Sequence, residues 1–373
     1  MARWFKGNMH THSLWSDGDD YPEMIVDWYK SRGYHFLALS DHNVLSQGQR
    51  WMPAAEADAR AKGAAFDRYR ARFGDDWVET RDDEGQRQVR LKPLGEFRAL
   101  FEEPGKFLLV QSEEITDWFE RKPIHMNAGN IQERIEPQGG TSVTDVIDNN
   151  LAAIGEQAER LGVRILAHVN HPNFHYAITP SELASVTRER FFEIYNGHPE
   201  VNQLGDDEHV SIERMWDLMN TMRLVELDAV PLYGLATDDS HRYFGGNSPP
   251  GRGWIMVRAA FLTPEHLIGA IEAGDFYAST GVTLADVQHS GDELHVQVDG
   301  EDCTIDFIGV RAGADPDQVG TVLKSVKGRA AAYQLTGDEL YVRALITADR
   351  SPADPSYEGQ RAQAWTQPVG WAG

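Results

Sequence analysis

Histidines and acids recur along this chain at short spacings that suit metal binding. His10-Thr11-His12 comes first, followed by Ser16-Asp17-Gly18, Ser40-Asp41-His42, Glu113-Glu114 and His125 in HMNAGN. His168-Val169-Asn170-His171-Pro172-Asn173 and Asp238-Asp239-Ser240-His241 complete the series. In extended chain a spacing of two puts the imidazoles of His10 and His12 on one face, close enough to share an ion. Imidazole nitrogens and carboxylate oxygens suit zinc, manganese or iron, and with Cys303 as the only cysteine a thiolate cage is excluded. A water held between two such ions is acidified enough to act as nucleophile near neutral pH. The same charges stabilise the anionic oxygens of a phosphoryl or acyl transition state. The Ser and Thr of these groups lack a Ser-His-Asp context and are not read as nucleophiles.

Each group follows, or lies in, a short apolar run. Strands are predicted before His10 and over 35–39, 107–111, 124–128, 163–167, 192–195 and 232–237, about seven in all. Helices are predicted over 22–32, with Pro22 in the first turn and Gly33 as the stop, and from about 142 to Gly162. This alternation predicts βα units around a parallel sheet, and in barrels of that kind the C-terminal strand ends converge on one site. A charged insertion over 46–106 interrupts it and is read as a lid or wall, helical over 54–72 with a hairpin around 83–85. From 283 onward short alternating strands such as LHVQV and LYVRALI predict a separate small β-sandwich.

The 373 residues allow one large α/β unit with an appendage, or two medium units. Hydrophobic residues at 41% and charged residues at 25% are ordinary globular usage, which excludes fibrous and disordered classes. Lys and Arg number 35 against 58 Asp and Glu, a formal net charge of -23. Such a surface repels nucleic-acid backbones and anionic membranes, so neither is expected as a partner. The start, MARWFKGNMHTHS, lacks the apolar stretch of a secretory leader, and no run is long enough to span a bilayer. A cytoplasmic chain acting on a small molecule is expected, with its oligomeric state left open.

His10-Thr11-His12-Ser13 with Ser16-Asp17-Gly18, Ser40-Asp41-His42, Glu114-Ile115-Thr116, His125, His171-Pro172 and Asp239-Ser240-His241 resembles the ordered motifs of the PHP (polymerase and histidinol phosphatase) superfamily. The resemblance covers about residues 7 to 282. It implies an α/β fold, a distorted (β/α)7 TIM-like barrel over 1–282, and leaves the β domain of 283–373 outside the motifs. It also implies two to three divalent metal ions, zinc, manganese or iron. One ion would take His10, His12, Glu114 and Asp239. A second would share Glu114 as a bridge and add His125 and His171, and a third would take Asp17, His42 and His241. Glu113, His168 and Asp238 compete with Glu114, His171 and Asp239. The latter are favoured because Ile-Thr follows Glu114, Pro follows His171, and Asp239 stands two residues from His241. The competitors are expected to orient ligands through hydrogen bonds.

Family members are mostly phosphoesterases, and a branch resembling carbaryl hydrolase cleaves carbamate esters. The catalytic set expected here is Glu114, His171, Asp239 and His241, with the leaving group's proton coming from His171, His241, Asp239 or water. Asn173, Asn196, Arg242 and Arg252 are the expected substrate contacts, since Arg beside a metal site clamps phosphate through paired bonds. The expected activity is cleavage of a phosphate ester of a small metabolite or nucleotide. The alternatives are a carbamate or carboxylic ester hydrolase using the same site, and a non-catalytic metal-stabilised module. The last would be favoured by lost ligands, and none of the expected positions is lost.

Overall fold

Runs such as FLAL and FFEIYN are buried at every position, as strands covered on both faces must be. In the computed structural model, which describes residues 2–315 and 318–371, the chain is a mixed α/β protein built on one large sheet. Seven strands lie side by side in chain order: Arg3–Asn8, Phe36–Leu39, Leu108–Phe119, Lys122–Gly129, Leu166–Val169, Phe191–Asn196 and Tyr233–Thr237. The segments after the first and last of these meet at a parallel bridge between Thr11 and Ser240. There Asp239 N donates to His10 O and His12 N to Ser240 O, each at 3.0 Å.

The fourth strand departs from the expected parallel order. Only Glu120 and Arg121 separate it from Leu108–Phe119, too few residues for a crossover helix, so it returns antiparallel to both neighbours. His125, near the start of this reversed strand, therefore reaches the same mouth as residues at the ends of the parallel ones. The fifth strand runs a few residues later than expected, which places His168 inside it.

Helices Pro22–Ser31 and Val143–Leu161 form where the pattern places them. Ser142 caps the second by accepting from Asp145 N at 3.0 Å, and Gly162 at φ 64° ends it. Helix Val143–Leu161 packs Val143, Val146 and Ile147 into a core shared with Met126, Phe192 and Trp216. The insertion holds two short helices, Ala54–Arg60 and Ala65–Phe73, instead of one over 54–72. Lys62, in the left-handed region at φ 53°, and Gly63 break the run. A three-stranded sheet of Arg50–Pro53, Gln86–Leu91 and Thr80–Asp83 completes it with helix Leu94–Phe101.

The C-terminal strands are joined to the large sheet. Trp254–Ala259 lies antiparallel on Arg3–Asn8, Phe276–Ser279 follows, and Gln363–Thr366 returns from near the chain's end to pair Tyr277 with Thr366. Glu339–Ala348, Cys303–Arg311 and Thr321–Gly328 extend the same sheet. A second sheet of Leu284–Ser290, Glu293–Val298 and Ala330–Gln334 faces it across a core of Leu294, Val296, Ile305, Phe307 and Ile346. A sandwich is present, and a continuous ladder joins one of its sheets to strands of the first 282 residues. Among the described residues no helix is long and apolar enough to cross a membrane.

Candidate metal centre

The long strand Leu108–Phe119 decides one competition by its period of two. Glu114 and Thr116 face the mouth, while Glu113 faces away and accepts from Ile135 N at 3.1 Å. Asp238 likewise points into the frame, accepting from the backbone N–H groups of Gly251, Arg252 and Gly253 at 2.7–2.8 Å and from Tyr29 at 2.6 Å. Its neighbour Asp239 faces the imidazoles. His168 lies behind them with Nε2 3.5 Å from Glu193, whereas His171 reaches the cluster. Asp239 and His171 sit at φ 48° and 23°, a strained backbone of the kind that concentrates at functional sites.

The structure brings all nine ligand candidates together: His10, His12, Asp17, His42, Glu114, His125, His171, Asp239 and His241. His10 Nε2 lies 3.2 Å from Asp239 Oδ1 and 3.4 Å from Glu114 Oε1. His12 Nε2 lies 3.0 Å from Asp239 Oδ1 and 3.4 Å from Glu114 Oε2. Around Glu114 Oε1 stand His125 Nδ1 at 3.1 Å and His171 Nε2 at 3.7 Å. Asp17 is 3.4 Å from His241 Nε2, 3.7 Å from His42 Nε2 and 3.8 Å from His12 Nδ1. His12 thus faces both groups, one ring nitrogen toward each.

These donors fit a cation better than they fit each other. His10 Nε2, His12 Nδ1, Glu114 Oε2 and both nitrogens of His125 are buried without a hydrogen bond, an expensive arrangement if nothing else is to satisfy them. Atoms that bind one ion at about 2.1 Å stand about 3.4 Å apart in a tetrahedral shell, the spacing seen here. Four sets of ligand atoms lie within 4.8 Å of one another: His12, Asp17, His42 and His241; His10, His12 and Glu114; His42, Glu114 and His125; and His10, His168 and Glu193. His42 is held by Thr116, whose hydroxyl is 2.6 Å from Nδ1, leaving Nε2 toward Asp17.

The electrostatics point the same way. Burial alone would raise Glu114 and Asp239, but His42 and His10 beside the first, and His10 and His12 beside the second, hold both well below the usual carboxylate range. Burial pulls His42 down, yet Glu114 and Asp17 outweigh it and lift the ring to about 9. His10 and His241 are raised against burial in the same manner, by Asp239 and Asp17 in particular. His12 falls to about 3, through burial and the adjacent His241 and His42 rings. The carboxylates draw protons onto three imidazoles, and divalent ions would compete for that same negative field.

The Asp17 loop is braced from below and outside. Asp41 accepts from Ser13 N and Oγ at 2.7 Å and from Ser16 Oγ at 2.6 Å. Gly18 is required where it stands, because a Cβ would lie 2.6 Å from His12 O. The insertion acts as a wall for this loop: Arg60 donates to Ser16 O at 2.6 Å and Arg50 to Trp15 O. Two of its other cations, Arg90 and Lys92, pair with Glu79 and Glu96.

One residue missed in the sequence organises much of the site. Glu193, fully buried, lies with Oε1 2.7 Å from His10 Nδ1 and accepts there from the Thr237 hydroxyl, also at 2.7 Å. Its Oε2 accepts from His171 N and from Asn196 Nδ2, both at 2.8 Å, and Asn196 also donates to Asp239 Oδ2 at 3.1 Å. One carboxylate thereby positions His10, the His171 turn and, through Asn196, Asp239. A glutamate inside the apolar run FFEIYN was the available signal. His198, its ring 5.4 Å from that of His241, is a second rim residue the sequence reading passed over.

Three of the four expected substrate contacts are bonded within the frame. Asn173 donates to Asn202 O and Val210 O, Asn196 to the two carboxylates above, and buried Arg252 to Gly197 O and Asn247 O while pairing with Asp354. These bonds use both side-chain N–H groups of Asn173 and of Asn196, and Nε and Nη1 of Arg252, to hold loops that carry ligand candidates. Arg242, half-buried beside the Asp17 carbonyl, keeps most of its guanidinium available.

No family model matches the chain, and no curated protein matches it. Among solved structures, a two-domain protein from Bacteroides vulgatus containing a predicted PHP-like metal-dependent phosphoesterase is 13% identical with a TM-score of 0.43, over 97% of this chain and 95% of that one. A protein from Bifidobacterium adolescentis, named as a prediction a metal-dependent phosphoesterase, is 12% identical with a TM-score of 0.34, over 65% and 90%. An amidohydrolase from Chromobacterium violaceum, with bound sulfate and no metal, is 13% identical with a TM-score of 0.33, over 64% and 88%. The first bears the name of the superfamily that the motifs resemble, and none of these names bears on the carbaryl-hydrolase branch. At these TM-scores the likeness carries no weight for chemistry, which rests on the ligand geometry.

Proposed function

We propose that this chain is a metal-dependent hydrolase whose seven strands close into a distorted barrel, and that it cleaves a phosphate ester of a small metabolite or nucleotide. The observation that carries the reading is the set of buried, unbonded imidazole and carboxylate atoms spaced as ligands of shared cations. Two or three divalent ions held there would supply a nucleophile at neutral pH and positive charge opposite the developing oxyanion. Glu114 and Asp239 fix the positions of positive charge, Glu193 holds His10 and the His171 turn, and Thr116 sets the His42 ring. His171, Asp239 and His241 line the mouth, and we assign to them the proton that the leaving oxygen takes up. Arg242 is the cation left to meet an anionic substrate. A cytoplasmic setting, in keeping with the single Cys303, and a small-molecule partner, in keeping with the net charge of -23, belong to the same proposal.

The test is turnover by protein reconstituted with zinc or manganese. p-Nitrophenyl phosphate or its bis ester should be hydrolysed faster than 1-naphthyl N-methylcarbamate, with inorganic phosphate competing and a chelator abolishing activity. Faster carbamate turnover, indifferent to millimolar phosphate, would replace the phosphoesterase reading with the carbamate one. No turnover of either class by metal-replete protein would overturn the hydrolase reading.

A further inference from the structure

We infer that Trp118 and Phe174 form an aromatic platform at the mouth that selects substrates carrying a planar aromatic group beside the anionic centre; this rests on the hydrolase reading above. The argument begins with register. Strand Leu108–Phe119 runs past the ligand cluster, so Glu114, Thr116 and Trp118 project from one face, with Trp118 two residues, about 6.7 Å, beyond Thr116. Across the hairpin Thr116 faces His125 and Trp118 faces Pro123, which leaves the indole standing over the His125 side of the mouth.

Trp118 is 55% exposed, and the other nine tryptophans are buried or half-buried. A lone exposed apolar side chain is ordinary on a protein surface. What sets this one apart is its place: its ring lies 6.3 Å from the His125 ring, nearly perpendicular at 83°. Phe174 also stands beside His125, at 6.2 Å between ring centres, and its ring is 5.0 Å from that of His171. Phe174 is half-buried and packed against the core, so it is a fixed surface. Two aromatic rings thus neighbour one ligand imidazole, where a substrate's uncharged portion would extend from the cations. Three of the four polar side chains expected at the rim are bonded to the frame, and the two rings add stacking as a means of recognising substrate. Tryptophan stacking is worth about 0.5–1.5 kcal/mol beyond area, or about 2- to 10-fold in affinity.

The experiment measures binding of two inert phosphonates to metal-replete protein by calorimetry: 1-naphthylmethylphosphonate, which is planar, and cyclohexylmethylphosphonate, which is not. Wild type should prefer the naphthyl compound by about 5- to 10-fold. Trp118→Ala should bring that ratio to about 2 or less and Trp118→Phe should keep most of it, with metal content measured in each protein by elemental analysis. Equal affinity of wild type for the two compounds, or a preference that survives in Trp118→Ala, would overturn the platform alone. Binding of neither phosphonate by protein that holds its metal would overturn the anionic-ester reading and the platform with it.

Discussion

Two of the places where this molecule buries charged side chains treat them in opposite ways. Between helix Ile212–Val225 and the C-terminal sheet, Asp217 accepts from Arg343 through two bonds of 2.7 and 2.9 Å and from Tyr341 at 2.6 Å. Arg343 lies over the Trp216 ring at 4.7 Å, with Glu213 3.7 Å away. Asp217 and Arg343 there are paired in bonding geometry. At the mouth, Glu114 and Asp239 are ringed by imidazoles, many at 3.1–3.9 Å, and several of these atoms make no hydrogen bond. The contrast separates a buried ion pair that holds two parts of a chain together from a buried cluster preorganised for something it must bind. Glu189 shows a third arrangement: burial, outweighing bonds from Phe191 and Arg190 N–H groups, raises it to about 8, so it keeps its proton.

Breaking the cluster should have the largest effect. Glu114→Gln removes the charge that five of the imidazoles share, so activity should vanish and metal per chain should fall, as elemental analysis would show. Glu113→Gln, which changes a group bonded to Ile135 N and turned from the mouth, should leave metal content near wild type. A reversed pair of results would mean that the other face of the strand bears the ligand.

Breaking the paired region should cost stability and spare the metal. Asp217→Ala leaves Arg343 buried without its partner and should lower unfolding free energy by about 3–5 kcal/mol in denaturant titrations. Metal content of the folded protein should stay the same, since neither Asp217 nor its partners Arg343 and Tyr341 is among the ligand candidates. A loss of metal without a loss of stability would erase the distinction between the two regions.

Glu193→Gln tests the link between them, a buried carboxylate that is paired and also orients ligands. Metal affinity should weaken by about 10- to 100-fold, read by competition with a chromogenic chelator. An unchanged affinity would reduce Glu193 to packing.

The smallest effect is the pH dependence owed to Glu189. Its folded-state value of about 8 lies above the ordinary carboxyl value, so between the two the folded state holds a proton that the unfolded state has lost. Its contribution is therefore complete at acid pH and declines as pH rises through about 8. Glu189→Gln should flatten the fall in stability between about pH 5 and 8, by a few kcal/mol at most. A wild-type stability that rises across this window, with the variant following it, would contradict the assignment.

The sequence made the chemistry legible wherever it is local. His-x-His and Asp-x-His carry their geometry in a spacing of two, and the apolar runs around them mark a mixed α/β protein with a large sheet. Contacts between distant segments were not legible. The reversal at Lys122–Gly129 depends on a two-residue turn that no Gly or Pro announces. The return of Gln363–Thr366 to Phe276–Ser279 joins strands more than eighty residues apart, so the C-terminal part read as separate. Asn196 and Arg252 looked free for substrate because their partners, Asp239, Glu193 and Asp354, are brought to them only by the fold. Glu193 was hidden by its position inside a strand, where a buried acid has meaning only once the imidazole beside it is known.

The most direct test of the central claim, that the mouth is a multinuclear cation site, is the metal content of the full chain after reconstitution with zinc and, separately, with manganese. Nine converging ligands should hold about two to three ions per chain, and these should be released as acid protonates the imidazoles. Fewer than about one ion per chain under both conditions would contradict the account.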